Sequence, residues 1–319
     1  MSSDCHLLKI YPPSSYRRIT VLNKMDLADP DQLKGWMKYF DGLGFACCAV
    51  DSHNKVSIKQ LLNLIQAKAK ITKTAVNLGS TFTVLIVGIP NVGKSALVNS
   101  LHLVGRISAA EKGKMKHAIV SPNPGETQDI CSFKIASHPN IYVLDTPGVL
   151  PSEILDLTLC SNLALTGALS KSYIAPEEVA TYFLVILNQS NEYKKWERFS
   201  QRNVTPSTSV VELSNPIGPR QRRNDHTQDS VVHHVRGALY DAISHFEGKL
   251  QHMEDVEQLI AIQFRVLRNV LSEQCGAKSS TKVADKLLNL FNTGRLGRYT
   301  LESPDCITKQ FSSYYKSDL

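Results

Sequence analysis

The amino-acid sequence predicts an α/β domain with a mainly parallel sheet, followed by a small all-α domain. Three observations carry this reading. Short apolar stretches of strand length alternate with helical stretches through the first half of the 319-residue chain, the pattern of parallel strands joined by crossover helices. A glycine-rich loop ending in Lys94-Ser95 sits between one such stretch and a helical run. After about Ser170 the strand pattern fades, and helical periodicity resumes near Val231.

Strands are expected at Arg18–Leu22, Phe45–Val50, Phe82–Gly88, Ile130–Ile135 and Ile141–Leu144. Ile19–Leu22 and Thr83–Val87 are apolar runs with no wet face, which reads as burial on both sides. Helices are expected at Pro30–Phe40, Ser57–Lys70, Lys94–Leu103, Ser152–Leu165, Val231–Glu247, Val256–Glu273 and Thr281–Phe291, with Gly294 as the last stop. Tyr182–Leu187 is a further apolar run of strand length. The polar stretch 189–236, with charge clusters such as Arg220-Gln221-Arg222-Arg223, reads as a mobile insertion.

Composition narrows the function classes. A hydrophobic content of 42% suits a protein with a real core, and no apolar run reaches the ~20 residues of a membrane-spanning helix. The net charge of +7 favours polyanions moderately, although an ordinary basic surface accounts for it equally well. Seven scattered cysteines form no CxxC pair, which argues against a zinc site and a disulfide scaffold and favours a reducing compartment.

The chemistry sits in five loops. Gly88-Ile89-Pro90-Asn91-Val92-Gly93-Lys94-Ser95 is a complete GxxxxGKS motif between a strand and a helix. Its glycines let backbone N–H groups of Asn91, Val92, Gly93 and the following Ala96 turn toward phosphate oxygens, and the helix adds its positive N-terminal end. Lys94 is placed to reach the β- and γ-phosphates, and the Ser95 hydroxyl to bind Mg²⁺. Asp145-Thr146-Pro147-Gly148 ends the last strand; its Asp145 suits Mg²⁺ held through water, and its Gly148 N–H suits the γ-phosphate. A bare Pro-Gly turn is the alternative.

Asn23-Lys24-Met25-Asp26 follows the first strand. The Asp26 carboxylate can accept guanine N1–H and the 2-amino group together, which adenine cannot offer. Asn23 would tie this loop to the phosphate loop, while the Lys24 stem covers the base; a simple N-cap role for Asp26 is the alternative. Ser52, in Asp51-Ser52-His53, stands where a second guanine-contacting loop belongs, with a structural turn equally open. Thr127, in Pro124-Gly125-Glu126-Thr127, is a candidate Mg²⁺ ligand that engages only when a triphosphate orders its loop; a surface threonine is the alternative.

The order of these loops is the specific signal. The guanine tetrapeptide precedes the phosphate loop, whereas ordinary GTPases carry it after both that loop and the DTPG segment. The array resembles the circularly permuted GTPases of ribosome biogenesis, in the mitochondrial ribosome-associated branch and nearest the plant DAR-type members. Leu163-Ala164-Leu165-Thr166-Gly167 and the C-terminal run Ala284–Thr300 add to the likeness, which covers about 15–187 and 237–302. The resemblance implies a circularly permuted P-loop GTPase domain at 1–170, a connector at 171–236 and a helical C-terminal domain at 237–319. It further implies GTP and GDP as ligands, the large ribosomal subunit and rRNA as partners, a mitochondrial matrix location, and no transmembrane segment, with room for peripheral membrane association. Arg265, Arg268, Lys282, Lys286, Arg295 and Arg298 would face rRNA phosphates, with a solvated helix face as the alternative.

Members of this family carry a strand ending in an Asp-Ala-Arg-like motif ahead of the guanine tetrapeptide. Met1-Ser2-Ser3 begins just after that point, so the first strand is expected to be missing from an N-terminally truncated chain. No transit peptide is legible, which would leave such a chain in the cytosol. Val149 occupies the place of the water-orienting Gln of Ras-type enzymes. By resemblance, Asn91 helps bind K⁺ beside the phosphates, and hydrolysis is slow and stimulated by K⁺ and the ribosome. The catalytic set implied is Asn91, Lys94, Thr127 and Gly148. A hydrolysis-deficient scaffold that binds GTP and rRNA is the alternative.

Overall fold

A computed structural model of the chain describes residues 18–76, 81–108, 118, 130–150, 156–200, 230–277 and 279–304. Two compact units emerge. The first comprises 1–170 with 299–319, and the second 171–298.

In the first unit the described elements are β1 (Ile19–Asn23), α1 (Pro30–Gly42), β2 (Ala46–Val50), α2 (Lys55–Val76), β3 (Thr81–Ile86), α3 (Lys94–Ser108), β4 (Cys131–Ser137), β5 (Asn140–Asp145) and α4 (Leu157–Leu165). β1 and β2 pair in parallel, as do β3 and β5. β4 runs antiparallel to β5 because only two residues connect them, too few for a crossover. The described strands form two ladders, β1-β2 and β3-β5-β4, with no ladder bonds between β1 and β3.

One core holds both ladders. Ile58, Leu61, Leu62, Ile65 and Ala69 recur at helical spacing along α2 and meet Leu97, Val98, Leu101 and Val104 of α3 with Ile135, Ile141 and Val143 of the sheet. Ile19 and Val21 of β1, and Phe82, Val84 and Ile86 of β3, pack against this same cluster. The expectation of two-sided burial does not hold for these strands. No β1 residue is fully buried, Leu85 on the other face of β3 is 42% exposed, and Val87 just past the strand is 47% exposed. Each of these two strands has a single described neighbour.

The second unit contains α5 (Pro176–Gln189), a 3₁₀ helix (Glu192–Phe199), α6 (Ser230–Ser244), α7 (Met253–Cys275) and α8 (Ser280–Asn292). Tyr182–Leu187, which has strand length, lies in α5. Pro176 at the first turn, followed by Glu177 and Glu178, starts a helix by φ restriction and by complementing its dipole. Val179, Ala180, Phe183, Leu184 and Leu187 then form one buried stripe. The polar stretch 189–236 also begins with structure. Tyr193, Trp196 and Phe199 recur every third residue, the 3₁₀ period, and Trp196 is 3% exposed. Residues 201–229 of that stretch lie outside the described residues.

Arg236 of α6 is buried beneath this turn, with its guanidinium near the Trp196 and Phe199 rings and donating to the Arg295 carbonyl. Between α5 and α7, the buried amides of Asn188 and Gln263 exchange two hydrogen bonds of 3.1 and 2.7 Å. Asn188→Ala leaves the Gln263 amide buried without this partner and should cost about 1–3 kcal/mol in chemical unfolding. Replacing both by Leu should recover most of that loss, because no buried polar group is then stranded.

Candidate nucleotide-binding site

The phosphate loop joins β3 to α3, so its position follows from how α3 packs on the core. Two of its residues take left-handed backbone, Asn91 at φ 57° and Gly93 at φ 87°. The Leu97 N–H bonds the Gly93 carbonyl at 2.9 Å and opens α3. Lys94 is buried, and its ammonium donates to the Gly88 and Ile89 carbonyls at 3.1 and 2.9 Å. Burial pushes this ammonium below the usual lysine range, and the Asp145 carboxylate opposes the shift. Val92, Ser95 and Ala96 are half-buried around it.

Asn23 stands at the end of β1, and its side chain bonds in both directions. Its amide N–H donates to the Val92 carbonyl at 2.8 Å, while its amide oxygen accepts from the Ser52 hydroxyl at 2.8 Å. Ser52 is itself buried, and its carbonyl accepts from Ser100 of α3 at 2.7 Å. One amide therefore brings together the tetrapeptide loop, the phosphate loop and the Asp51–His53 loop. The tetrapeptide turn is completed by Lys24 at φ 58°, by Leu27 N–H on the Lys24 carbonyl, and by Met25 N–H on the Val50 carbonyl of β2. Lys24 and Asp26 are exposed.

Asp145 ends β5 at 1% exposure, and neither carboxylate oxygen has a hydrogen-bond donor among the described residues. Burying a carboxylate unpaired is costly, and the donor set of an oxygen-rich Mg²⁺ site removes that cost. The next residues bind back to the phosphate loop. Thr146 hydroxyl donates to Ile86 carbonyl at 2.6 Å, and Val149 N–H to Gly88 carbonyl at 3.3 Å. A Cβ on Gly148 would lie 2.7 Å from backbone atoms of Pro90, so the two loops touch main chain to main chain. Asn91 points elsewhere, donating to the Gly167 carbonyl beyond α4 at 2.6 Å. Thr127 lies outside the described residues.

Sequence reasoning did not single out Ser100 or the Gly167 carbonyl. A serine two turns into a helix carries no local signal, whereas Gly167, at φ 75° just past α4, has the signature of a helix stop. Of the basic residues, Arg265, Arg268, Lys282 and Arg298 are exposed in the second unit, and Lys286 and Arg295 are half-buried. Among the described residues no three His, Cys, Asp or Glu side chains cluster as a metal site, and no helix is long and apolar enough to cross a membrane.

At Gly93 a Cβ would stand 2.5 Å from the Asn23 amide nitrogen, on a backbone only glycine adopts freely. Gly93→Ala should weaken nucleotide binding at least about tenfold, from strain of about 1–2 kcal/mol and displacement of Asn23. Titration with a fluorescent guanine nucleotide measures this loss.

Comparison with known proteins agrees with this arrangement. The model of the 50S ribosome-binding GTPase family matches residues 83–213. The chain is 48% identical over 316 residues to DAR GTPase 2, mitochondrial, of Arabidopsis thaliana, covering 98% of this chain and 84% of that relative. It is 37% identical to Short integuments 2, mitochondrial, of the same plant, covering 91% and 77%. Ribosome biogenesis GTPase A of Priestia megaterium is 31% identical over 64% of this chain and 67% of its own length. The permuted loop order and this extent of identity show that the chain belongs to the circularly permuted ribosome-biogenesis GTPases, in the branch of the plant mitochondrial DAR GTPases.

Proposed function

We propose that this protein is a GTP-hydrolysing switch in assembly of the large ribosomal subunit, working in the mitochondrial matrix. The observation that carries the nucleotide reading is the Asn23 amide, bonded at once to Val92 and Ser52. It joins a guanine-reading tetrapeptide to a phosphate-binding loop, a combination that serves no other ligand class as well. The mitochondrial and ribosomal parts rest on the family. The names of the two Arabidopsis relatives place them in mitochondria, and the matched family model describes ribosome-binding GTPases.

The residues divide the work. Asp26 selects guanine, and Lys24 covers the base. Backbone N–H groups of Asn91 to Ala96 cradle the phosphates, with Lys94 turning from its loop carbonyls to their oxygens. Ser95 and Asp145, joined by Thr127, would hold Mg²⁺, which neutralises charge on the β- and γ-phosphates when bound. Gly148 offers its N–H to the γ-phosphate from a segment in main-chain contact with Pro90. Val149 cannot orient an attacking water. The Asn91 amide faces Gly167 through its nitrogen, and its oxygen is the atom a K⁺ would take. The exposed arginines of the second unit supply phosphate contacts to rRNA.

Equilibrium binding of fluorescent GTP and ATP, followed by phosphate release, tests this reading. GTP should bind and turn over slowly, and ATP should not compete. Binding of ATP with equal affinity would overturn it.

Asp26→Asn should weaken GTP binding and favour xanthosine triphosphate, because two acceptors become one acceptor and one donor. Competition between the two nucleotides reads the change, expected at tenfold or more for a mispaired buried base edge. Hydrolysis should be faster in KCl than in NaCl at equal ionic strength, and Asn91→Ala should erase the difference. Phosphate-release rates in the two salts check it.

A further inference from the structure

The chain re-enters the first unit at Tyr299, and its next residues lie against two structures that adjoin the nucleotide site. Tyr299 N–H donates to the Leu27 carbonyl at 3.1 Å, and the Thr300 hydroxyl accepts the Asp29 N–H at 3.2 Å. Leu27 and Asp29 flank the exit of the tetrapeptide loop, one and three residues beyond Asp26. Asp29 also caps α1, its carboxylate accepting from the Asp31 and Gln32 N–H groups, so this short stretch is held from both sides. The strap then crosses α1, where Trp36 Nε1 donates to the Glu302 carbonyl at 3.0 Å and Pro304 lies beside Gly35.

From there the Glu302 carboxylate reaches α4, accepting from the buried Asn162 amide at 3.1 Å. Asn162 lies in the last turn and a half of that helix. Its carbonyl accepts from Thr166, and the following Gly167 carbonyl accepts from Asn91 of the phosphate loop. Two bonded routes therefore leave one strap. Thr300 leads to the loop that carries Asp26, and Glu302 leads through α4 to Asn91.

We propose that residues 299–302 form a positioning strap for the nucleotide site, with Thr300 setting the guanine-reading loop and Glu302 setting Asn91. Neither side chain touches nucleotide; each acts through a residue that does. The inference rests on the assignment of Asp26 to the base and Asn91 to the phosphates. It adds a division of labour that those assignments do not contain. Loss of Thr300 loosens ground-state binding, while loss of Glu302 slows the chemical step.

Steady-state GTP hydrolysis and fluorescent-GDP release by the full chain and four variants test this. Thr300→Ala should raise KM for GTP and speed GDP release about five- to tenfold, the factor carried by one hydrogen bond, with kcat within about twofold. Thr300→Ser keeps the hydroxyl and should restore both. Glu302→Ala should lower kcat by a similar factor and flatten the K⁺ response while leaving GDP release nearly unchanged. Glu302→Gln keeps an acceptor for Asn162 and should behave as the unmutated chain.

A merely structural strap would lower the thermal midpoint of both alanine variants without separating KM from kcat, and that result would overturn the proposal. So would alanine variants indistinguishable from the unmutated chain. If the unmutated chain binds no guanine nucleotide, the site assignment itself falls, and the strap proposal with it.

Discussion

The proposed nucleotide site depends on one side-chain amide. Among the described residues β1 and β3 share no ladder bonds, so the backbone does not set the position of the base loop against the phosphate loop. Asn23 does so with a donor and an acceptor on the same planar group, one bonded to Val92 and the other to Ser52. An amide suits the task because its two ends cannot exchange roles without losing both bonds. The shared core beneath, formed by α2, α3 and the inner faces of the strands, brings the ladders near enough for that amide to span them.

Electrostatics divides the site into two halves. On the phosphate side, Lys94 and Asp145 are both buried, and the Asp145 charge opposes the effect of burial on the Lys94 ammonium. A buried carboxylate with no hydrogen-bond donor among the described residues is costly for the fold and is suited to a hard cation. On the base side Lys24 and Asp26 are exposed, on a turn whose backbone is braced by β2 and by the residues of 299–302. Exposure of the Asp26 carboxylate on the base side and burial of Lys94 and Asp145 on the phosphate side match what each would meet. A purine edge is read by directed hydrogen bonds, and a polyphosphate is held by concentrated charge in a low-dielectric cleft.

Much of this could be read along the chain. The phosphate loop, the DTPG segment and the tetrapeptide are short, contiguous and flanked by the strand and helix patterns they need, so their identity is local information. Helices announced by Asp29-Pro30, by Ser279 and by Gly276 likewise follow from caps written in adjacent residues. The run Tyr182–Leu187 was ambiguous for a physical reason: six apolar residues suit a buried strand or a buried helix, and only the start signal at Pro176 with its two glutamates tips the balance. The Tyr193, Trp196 and Phe199 spacing was equally local, yet hidden among charges.

By itself, then, the sequence determined the loop motifs, the order in which they occur, and the α/β-then-helical character of the chain. Each of these depends on residues within a few positions of one another. Tertiary structure alone decided that Asn23 also bonds Ser52, that Asn91 turns to Gly167, and that 299–304 rests on the first unit rather than continuing the helical one. Those contacts join residues tens to hundreds of positions apart. Hydrogen-bond partners at that separation are selected by packing, which brings groups together in space without leaving a periodicity or spacing in the chain.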